Sequence, residues 1–396
     1  MHLLDGIRVL DLTNVLAGPY ASYQLALMGA DVIKVEVPGT GDLARQLGAD
    51  AELSAQRMGA SFVAQNAGKR SITVDLKHGG GRQVFDRLVR GADVLVENFR
   101  PGVMARLGYD WDDLRRTNPK LVYCAISGFG QTGPMRTRPA YDQIIQGLSG
   151  MSAVTGTPET APLRVGFPVC DTLGGMTAAM AINGALVARS RTGEGSYLDV
   201  SMLESSLTAL GWVVSDYLIA GRTPTANGNE NPTGAPSATF ATRAGSLNIA
   251  ANKQEQFETL CKLIGREDLI DDPRFALRDD RKMQRTELRT ELEAALAAKT
   301  AREWEPLFND AGVPAGLVLD VTDSLELEQI EQRSLVHEVE LPDRRAKVLG
   351  CGFHVNGEAL QPKSPPPALG SHTNELLSEL GYSDTEISTL NAQGAV

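Results

Sequence analysis

The feature that most constrains this chain is an alternation. Through its first half, short β-branched apolar runs take turns with segments long enough to be helices. Residues 7–12 (IRVLDL) read as a buried strand and residues 31–36 (DVIKVE) as the next. Between them lie a loop carrying Gly18-Pro19 and a helical stretch over 20–28. Further strands are predicted at 71–75, 94–96, 121–126 and 196–201, with helices at 81–89 and 171–188. Neighbouring parallel strands need a crossover of about a dozen residues or more, and helices of this length supply it. The pattern predicts an α/β fold of parallel βαβ units wound on both faces of one sheet.

The second half reads differently. A long apolar helix over 202–220 runs into the polar, Gly- and Pro-rich stretch RTPTANGNENPTGAP, a linker or active-site loop. Two short strands (237–242, 246–251) then precede charge-rich helices such as 281–298, which suggests a smaller α+β domain. After residue 315 short strands and turns return. The segment KSPPPALGSHTNELLSELGY is a Pro-rich turn followed by a terminal helix, with Thr373 as a candidate cap.

Bulk properties exclude several classes. A net charge of −11 argues against a general nucleic-acid or membrane-surface binder, because either partner favours a basic face. The four cysteines (Cys124, Cys170, Cys261, Cys351) form no CxxC pair, the chain starts MHLLDGIRVL without a basic leader, and no long apolar span occurs. A reducing cytoplasm is the expected setting, with no membrane span. The first strand–helix turn, TNVLAGPYAS, lacks the glycine spacing that lets backbone approach a dinucleotide pyrophosphate. The five histidines form no ligand cluster, so no metal site is expected, and GxSxG is absent.

Two stretches carry chemistry. In RVGFPVCDTLGGM a strand is read as ending at Val169-Cys170, so that Asp171 falls where a helix begins. There it meets free backbone N–H groups and the positive end of the helix dipole. Local chemistry alone favours a plain N-cap; a carboxylate held ionised by those donors is also a nucleophile able to carry an acyl group. Gly174 and Gly175 are read as packing glycines that also open the backbone to a bulky thioester. The second stretch is the basic span 69–106. Arg82, Arg87 and Arg90 read as a solvated helix face, whereas Lys77, Arg100 and Arg106 fall at strand ends and loops, where cations suit a phosphorylated ligand.

Five segments together carry a family resemblance: LDGIRVLDLTNVLAGPYASYQLALMGADVIKVE, NAGKRSITVDLK, DVLVENFRPGVMARLGYDWDDLRRTNPKLVYCAISGFG, RVGFPVCDTLGGM and RTGEGSYLDVSMLES. In order and number they resemble the class III CoA-transferases of the CaiB/BaiF type over nearly the whole chain. The resemblance implies a Rossmann-like large domain whose parallel sheet is built from both chain ends, a small α+β domain, and two ring-shaped subunits interlocked as a homodimer. On that plan residues 1–200 begin the CoA-binding domain, 201–236 are a linker helix and loop, 237–313 the small domain, and 314–396 a linker and return.

The resemblance also places the family's catalytic aspartate on Asp171. It implies an acyl-CoA and a small carboxylic acid as partners, the CoA thioester being substrate rather than cofactor. Family CoA contacts fall on Val15, Leu16, Val74, Asp75, Leu76, Lys77, Asn98, Phe99, Arg100, Arg106 and Tyr141. Lys77 and Arg106 are expected at phosphates and Tyr141 near the thioester. Formyl-CoA:oxalate transferases carry glutamine where this chain has Leu16, and a tetraglycine loop not found here. The related α-methylacyl-CoA racemases need a histidine where this chain has Tyr141 (AYD), which disfavours isomerase chemistry; a CoA binder without turnover is the non-enzymatic alternative. The sequence is closest in tone to members that use succinyl-CoA and C4 to C6 dicarboxylates, with Arg222 and residues 227–233 as candidates to receive a distal carboxylate.

Overall fold

Side chains along the central strands alternate between two separate cores. Val9, Val94, Val96, Val122, Cys124 and Ile126 pack on one side; Leu10, Leu95, Tyr123 and Ala125 pack on the other. This is the period-two signature of a sheet covered on both faces. In the computed structural model, which describes residues 2–396, six strands form that sheet. They are β1 (Arg8–Asp11), β2 (Asp31–Glu36), β3 (Lys69–Thr73), β4 (Val94–Glu97), β5 (Val122–Ser127) and β6 (Ser196–Ser201). All pair in parallel, in the order β3-β2-β1-β4-β5-β6.

One face is covered by the Ala17–Leu27 and Val169–Thr192 helices, through residues such as Ala21, Leu25, Ala178 and Ile182. The other is covered by the Gly79–Arg90 helix and the terminal helices Thr373–Glu379 and Asp384–Ala392. The C-terminal chain therefore enters this unit (Met1–Met151, Arg164–Arg222, Glu328–Val396) without adding a strand to its sheet. Its apolar residues Leu376, Leu377, Ile387 and Leu390 lie at helical spacing and seal one face instead. Its strands Val336–Glu340 and Arg345–Leu349 make a separate antiparallel pair.

Five local expectations are corrected. Val169 and Cys170 are not a strand end; the helix starts at Val169, directly after Pro168. The first helix starts at Ala17, so Gly18-Pro19 lies inside its first turn, where a missing proline N–H costs no helix bond. The apolar stretch 202–220 is two helices, Met202–Ala209 and Gly211–Ala220, broken at Leu210 before a glycine; 281–298 likewise divides at Gln284 into Arg278–Met283 and Arg285–Leu296. Thr373 caps nothing: its Oγ1 accepts the backbone N–H of Thr73 at 3.1 Å, tying the end of β3 to the terminal helix.

The second unit comprises Ser152–Leu163 and Thr223–Leu327. Its antiparallel sheet joins Ser237–Ala241, Ser246–Ala250 and Ala315–Leu317, and Phe240, Phe257, Phe275, Leu292 and Phe308 form its core. Arg281 is fully buried there, its guanidinium 4.2 Å from the Phe257 ring and bonded to the carbonyls of Ala235 and Phe275. Among the described residues no helix is long and apolar enough to cross a membrane.

Candidate active site

The winding of the sheet reverses between β1 and β4, so the loops leaving their carboxyl ends diverge and open a crevice. One side chain laces the two loops together. Asn98 Oδ1 accepts the N–H of Asn14 and Asn98 Nδ2 donates to the Asn14 carbonyl, both at 2.8 Å. The next residue, Val15, has φ of 68°, a left-handed conformation that a β-branched residue adopts only under constraint. Asp42 supplies that constraint by accepting the Val15 N–H at 3.0 Å.

Beneath this loop lies a buried charge network. Lys34 Nζ sits 2.8 Å from Asp42 and donates to the Thr13 carbonyl at 2.9 Å. Asp11 takes Lys69 Nζ at 2.9 Å and the Ser22 hydroxyl at 2.6 Å. Burial alone would raise the Asp11 carboxyl; Lys34 and Lys69 more than offset it and hold the group well below the usual carboxylate range. Burial pushes Lys69 down, to about 8, so it stays charged at neutral pH.

Two cavities open above. The first, about 200 Å³, is lined by Val15, Leu16, Asn98, Phe99, Arg100, Tyr141 and Asp171. The second, about 480 Å³, is lined by Val74, Asp75, Leu76 and Lys77 and shares Asn14 and Phe99 with the first. Of the sequence-predicted contacts, Arg106 lines neither; it lies on the short Val103–Leu107 helix that follows the Asn98–Arg100 loop. Lys77, Arg100 and Arg106 carry no ion pair among the described residues.

The rest of the basic span is committed elsewhere. Lys69 is the buried partner of Asp11, and Arg70 pairs with Asp31, Glu375 and Glu379. Arg82 and Arg87 are not simply solvated: Arg82 bonds the Leu107 carbonyl over the Tyr109 ring, and Arg87 bonds the Leu380 carbonyl over Tyr382.

Asp171 is the third residue of its helix, and the helix does not use it as a cap. The N–H groups of Val169 and Thr172 go to the carbonyls of Phe167 and Pro168. Those of Cys170 and Asp171 go to Asp142 Oδ1, at 2.7 and 3.4 Å. The expectation that helix donors hold Asp171 ionised is thus overturned, because Asp142 has taken them. Burial, and then the neighbouring Asp142 charge, push the Asp171 carboxyl up to about 7. Gly174 and Gly175 are packing glycines. A Cβ on Gly175 would lie 2.5 Å from the Ala17 carbonyl, and one on Gly174 would lie 3.0 Å from Met202.

Three residues around Asp171 escaped the sequence, two of them lining its cavity. Arg136 and Arg138, in the loop after β5, share the Asp171 cavity and carry no ion pair among the described residues. Asp142 was visible only as the residue after Tyr141. Within the candidate acceptor stretch 227–233, residues 228–231 line a cavity of about 640 Å³ inside the second unit, with Thr239 and Asn248. Among the described residues no three His, Cys, Asp or Glu side chains are placed to hold a metal ion.

A six-stranded parallel sheet with a carboxylate-bearing crevice at its reversal point defines a doubly wound α/β protein with a crevice where such sheets bind ligands. The model of CoA-transferase family III matches residues 4–373, and the chain belongs to that family. It is 41% identical over 350 residues to an acetyl-CoA:oxalate CoA-transferase of Acetobacter aceti, covering 87% of this chain and 89% of that one. It is 38% identical to a succinate–glutarate CoA-transferase of Agrobacterium fabrum, over 95% of each chain. The crystal structure of a CaiB/BaiF family protein from Brucella suis superposes with a TM-score of 0.85 at 34% identity, over 95% of this chain and 98% of that one. The chain is accordingly an acyl-CoA transferase.

Proposed function

We propose that this enzyme moves CoA from succinyl-CoA to a small dicarboxylate, with Asp171 as the covalent carrier. The observation that carries the reading is the placement of Asp171: a carboxylate that no donor among the described residues occupies, at the switch-point cavity between the β1 and β4 loops. Its oxygen attacks the thioester carbonyl, and CoA leaves as thiolate, giving a mixed anhydride. The thiolate then attacks the Asp171 carbonyl, releasing the donor acid as carboxylate and leaving an aspartyl-CoA thioester. The acceptor carboxylate and the same two steps in reverse deliver the new acyl-CoA and the free Asp171 carboxylate. One thioester replaces another, so neither ATP nor a cofactor is needed.

The two linked cavities give CoA a path along Val74–Lys77 and Asn98–Arg100, with Lys77, Arg100 and Arg106 as phosphate partners and Tyr141 beside the thioester. A dicarboxylate acceptor is supported by the relatives named for oxalate and glutarate and by the unpaired Arg136 and Arg138. Self-association is part of the reading: the Gly211–Ala220 helix buries none of its residues, and Trp212, Leu218 and Ile219 are 79%, 74% and 87% exposed.

The test is to trap the intermediate. Succinyl-CoA and acetyl-CoA are added separately, followed by hydroxylamine or borohydride, and modified peptides are mapped by mass spectrometry. Modification on Asp171 is expected with succinyl-CoA. Replacing Asp171 by alanine should lower transfer by about a thousandfold or more while CoA still binds; retained transfer in that variant would sink the mechanism.

A further inference from the structure

We propose that Asp142 is a positioning residue that keeps the Asp171 carboxylate uncapped and charge-strained, by taking the helix amides that would otherwise hold it. The inference rests on the reading of Asp171 as nucleophile and adds how the fold prepares it.

A carboxylate in the first turn of a helix is ordinarily stabilised by the amides around it. Here every amide from Val169 to Thr172 has another acceptor, and two of the four are met by Asp142. Asp142 is 6% exposed and comes from the separate Asp142–Leu148 helix. It is itself fixed: its Oδ2 accepts Gln146 Nε2 at 2.6 Å. Gln146 in turn bonds the Phe167 carbonyl at 3.3 Å and accepts the Val165 N–H at 2.9 Å. A two-residue relay of Asp142 and Gln146 thus pins the segment leading into the Asp171 helix and delivers a negative charge to its positive end.

That arrangement acts on the chemistry through charge balance. Free Asp171 is an anion beside the anion of Asp142. In the mixed anhydride and in the aspartyl-CoA thioester, Asp171 is neutral, so the repulsion is relieved at each covalent stage. Asp142 raises the free carboxylate relative to both intermediates, and a more basic carboxylate is the stronger nucleophile. The other ionisable groups nearby do not duplicate it. Tyr141, Arg100, Arg136 and Arg138 share the cavity, and Tyr20 packs against Gly175. Cys170 precedes Asp171, and Glu204 is on the adjacent Met202–Ala209 helix. Arg164 lies 4.0 Å from Asp142 and is more than half exposed, which leaves it a weak counterion. After burial, the charge that pushes the Asp171 carboxyl up is that of Asp142.

The experiment is the Asp142→Asn variant, followed by single-turnover labelling of Asp171 with succinyl-CoA between about pH 5 and about pH 9. Asparagine keeps an oxygen for the Cys170 amide and removes the charge. The acid midpoint of labelling should fall by about one unit, and the limiting rate at high pH by about threefold to tenfold. If that variant folds poorly, Asp142→Asn/Gln146→Glu keeps a bond between the two side chains and an acceptor for the Val165 N–H, gives up the bond to the Phe167 carbonyl and moves the charge outward, and its midpoint should also lie below wild type. A midpoint that stays at the wild-type value in a folded variant, whatever the loss of rate, makes Asp142 a strut and overturns the inference alone. No label on Asp171 in the wild-type enzyme overturns the nucleophile reading, and this inference with it.

Discussion

Asp11, buried beneath the crevice, and Asp171, which lines it, are treated in opposite ways. Asp11, at the end of β1, is fully buried and surrounded by donors: Lys69, Ser22 and the Thr13 amide, with Lys34 at 3.9 Å. Asp171 lines the open cavity, has no donor on its carboxylate among the described residues, and faces a like charge. One carboxyl is held far below its usual range and the other is lifted to about 7. The difference teaches how the site is made. The charge network under the Asn14–Leu16 loop is satisfied so that the loop stays put; on the proposed mechanism, the charge lining the cavity is left unsatisfied so that it reacts.

The comparison can be broken first on the satisfied side. Lys69→Met removes the cation from Asp11 and also strands Asn66 Oδ1 and the Pro19 carbonyl, both of which now accept from Lys69 Nζ. Leaving one partner of a buried pair uncompensated costs about 3–5 kcal/mol, read as a drop in urea midpoint. A loss under about 1 kcal/mol would mean that the network is ornamental to stability and that the contrast with Asp171 is not the right one.

A third carboxylate sharpens the contrast because it is buried yet has no cation. Glu97, at the end of β4, is 4% exposed. Its Oε2 accepts the Phe99 amide at 2.7 Å and its Oε1 the Tyr123 hydroxyl at 3.1 Å. Burial raises it from an ordinary 4.5 to about 7, with Asp199 adding to the rise. For a group raised in the folded state, the stability it contributes is complete below the unfolded value and is lost as pH climbs through the folded one. Wild-type stability should therefore fall by up to about 3 kcal/mol on this account between pH 4.5 and 7. Glu97→Gln should remove that part of the decline, since glutamine does not titrate. Parallel pH–stability curves for the two proteins would show that Glu97 is ionised throughout and that burial is not what sets it apart.

How much of this was legible in the sequence follows from the range of each interaction. The strands were readable because IRVLDL and DVIKVE are apolar where both cores need them, and the loops after β1 and β4 could then be placed. The start of the Asp171 helix was not: Val169 and Cys170 look like strand, and only Pro168 marks the boundary. Asp142 lies 29 residues from Asp171 along the chain, and capping across that distance has no local signature. Lys69 was read with a phosphate-binding span because charge is visible in sequence and burial is not. Arg136 and Arg138 were visible as charges, but a loop's path is set by packing elsewhere. The break at Leu210 was masked by a continuous apolar run through 202–220.

The smallest expected effect tests whether the satisfied network serves the site at all. Val15 is held left-handed by its bond to Asp42, and such strain costs about 1–3 kcal/mol where the surroundings impose it. Val15→Gly relieves the strain but frees the unfolded chain, so stability should change by no more than about 1 kcal/mol in either direction. The loop, however, loses the residue that fixes its course between the two cavities. The KM for acyl-CoA should rise by about threefold to tenfold with kcat little changed, as expected when pre-organisation rather than chemistry is lost. Calorimetry and steady-state kinetics on one preparation separate the two effects. An unchanged KM would show that the network of Asp11, Lys34, Asp42 and Lys69 supports the fold only, and that the order it imposes stops short of the ligand.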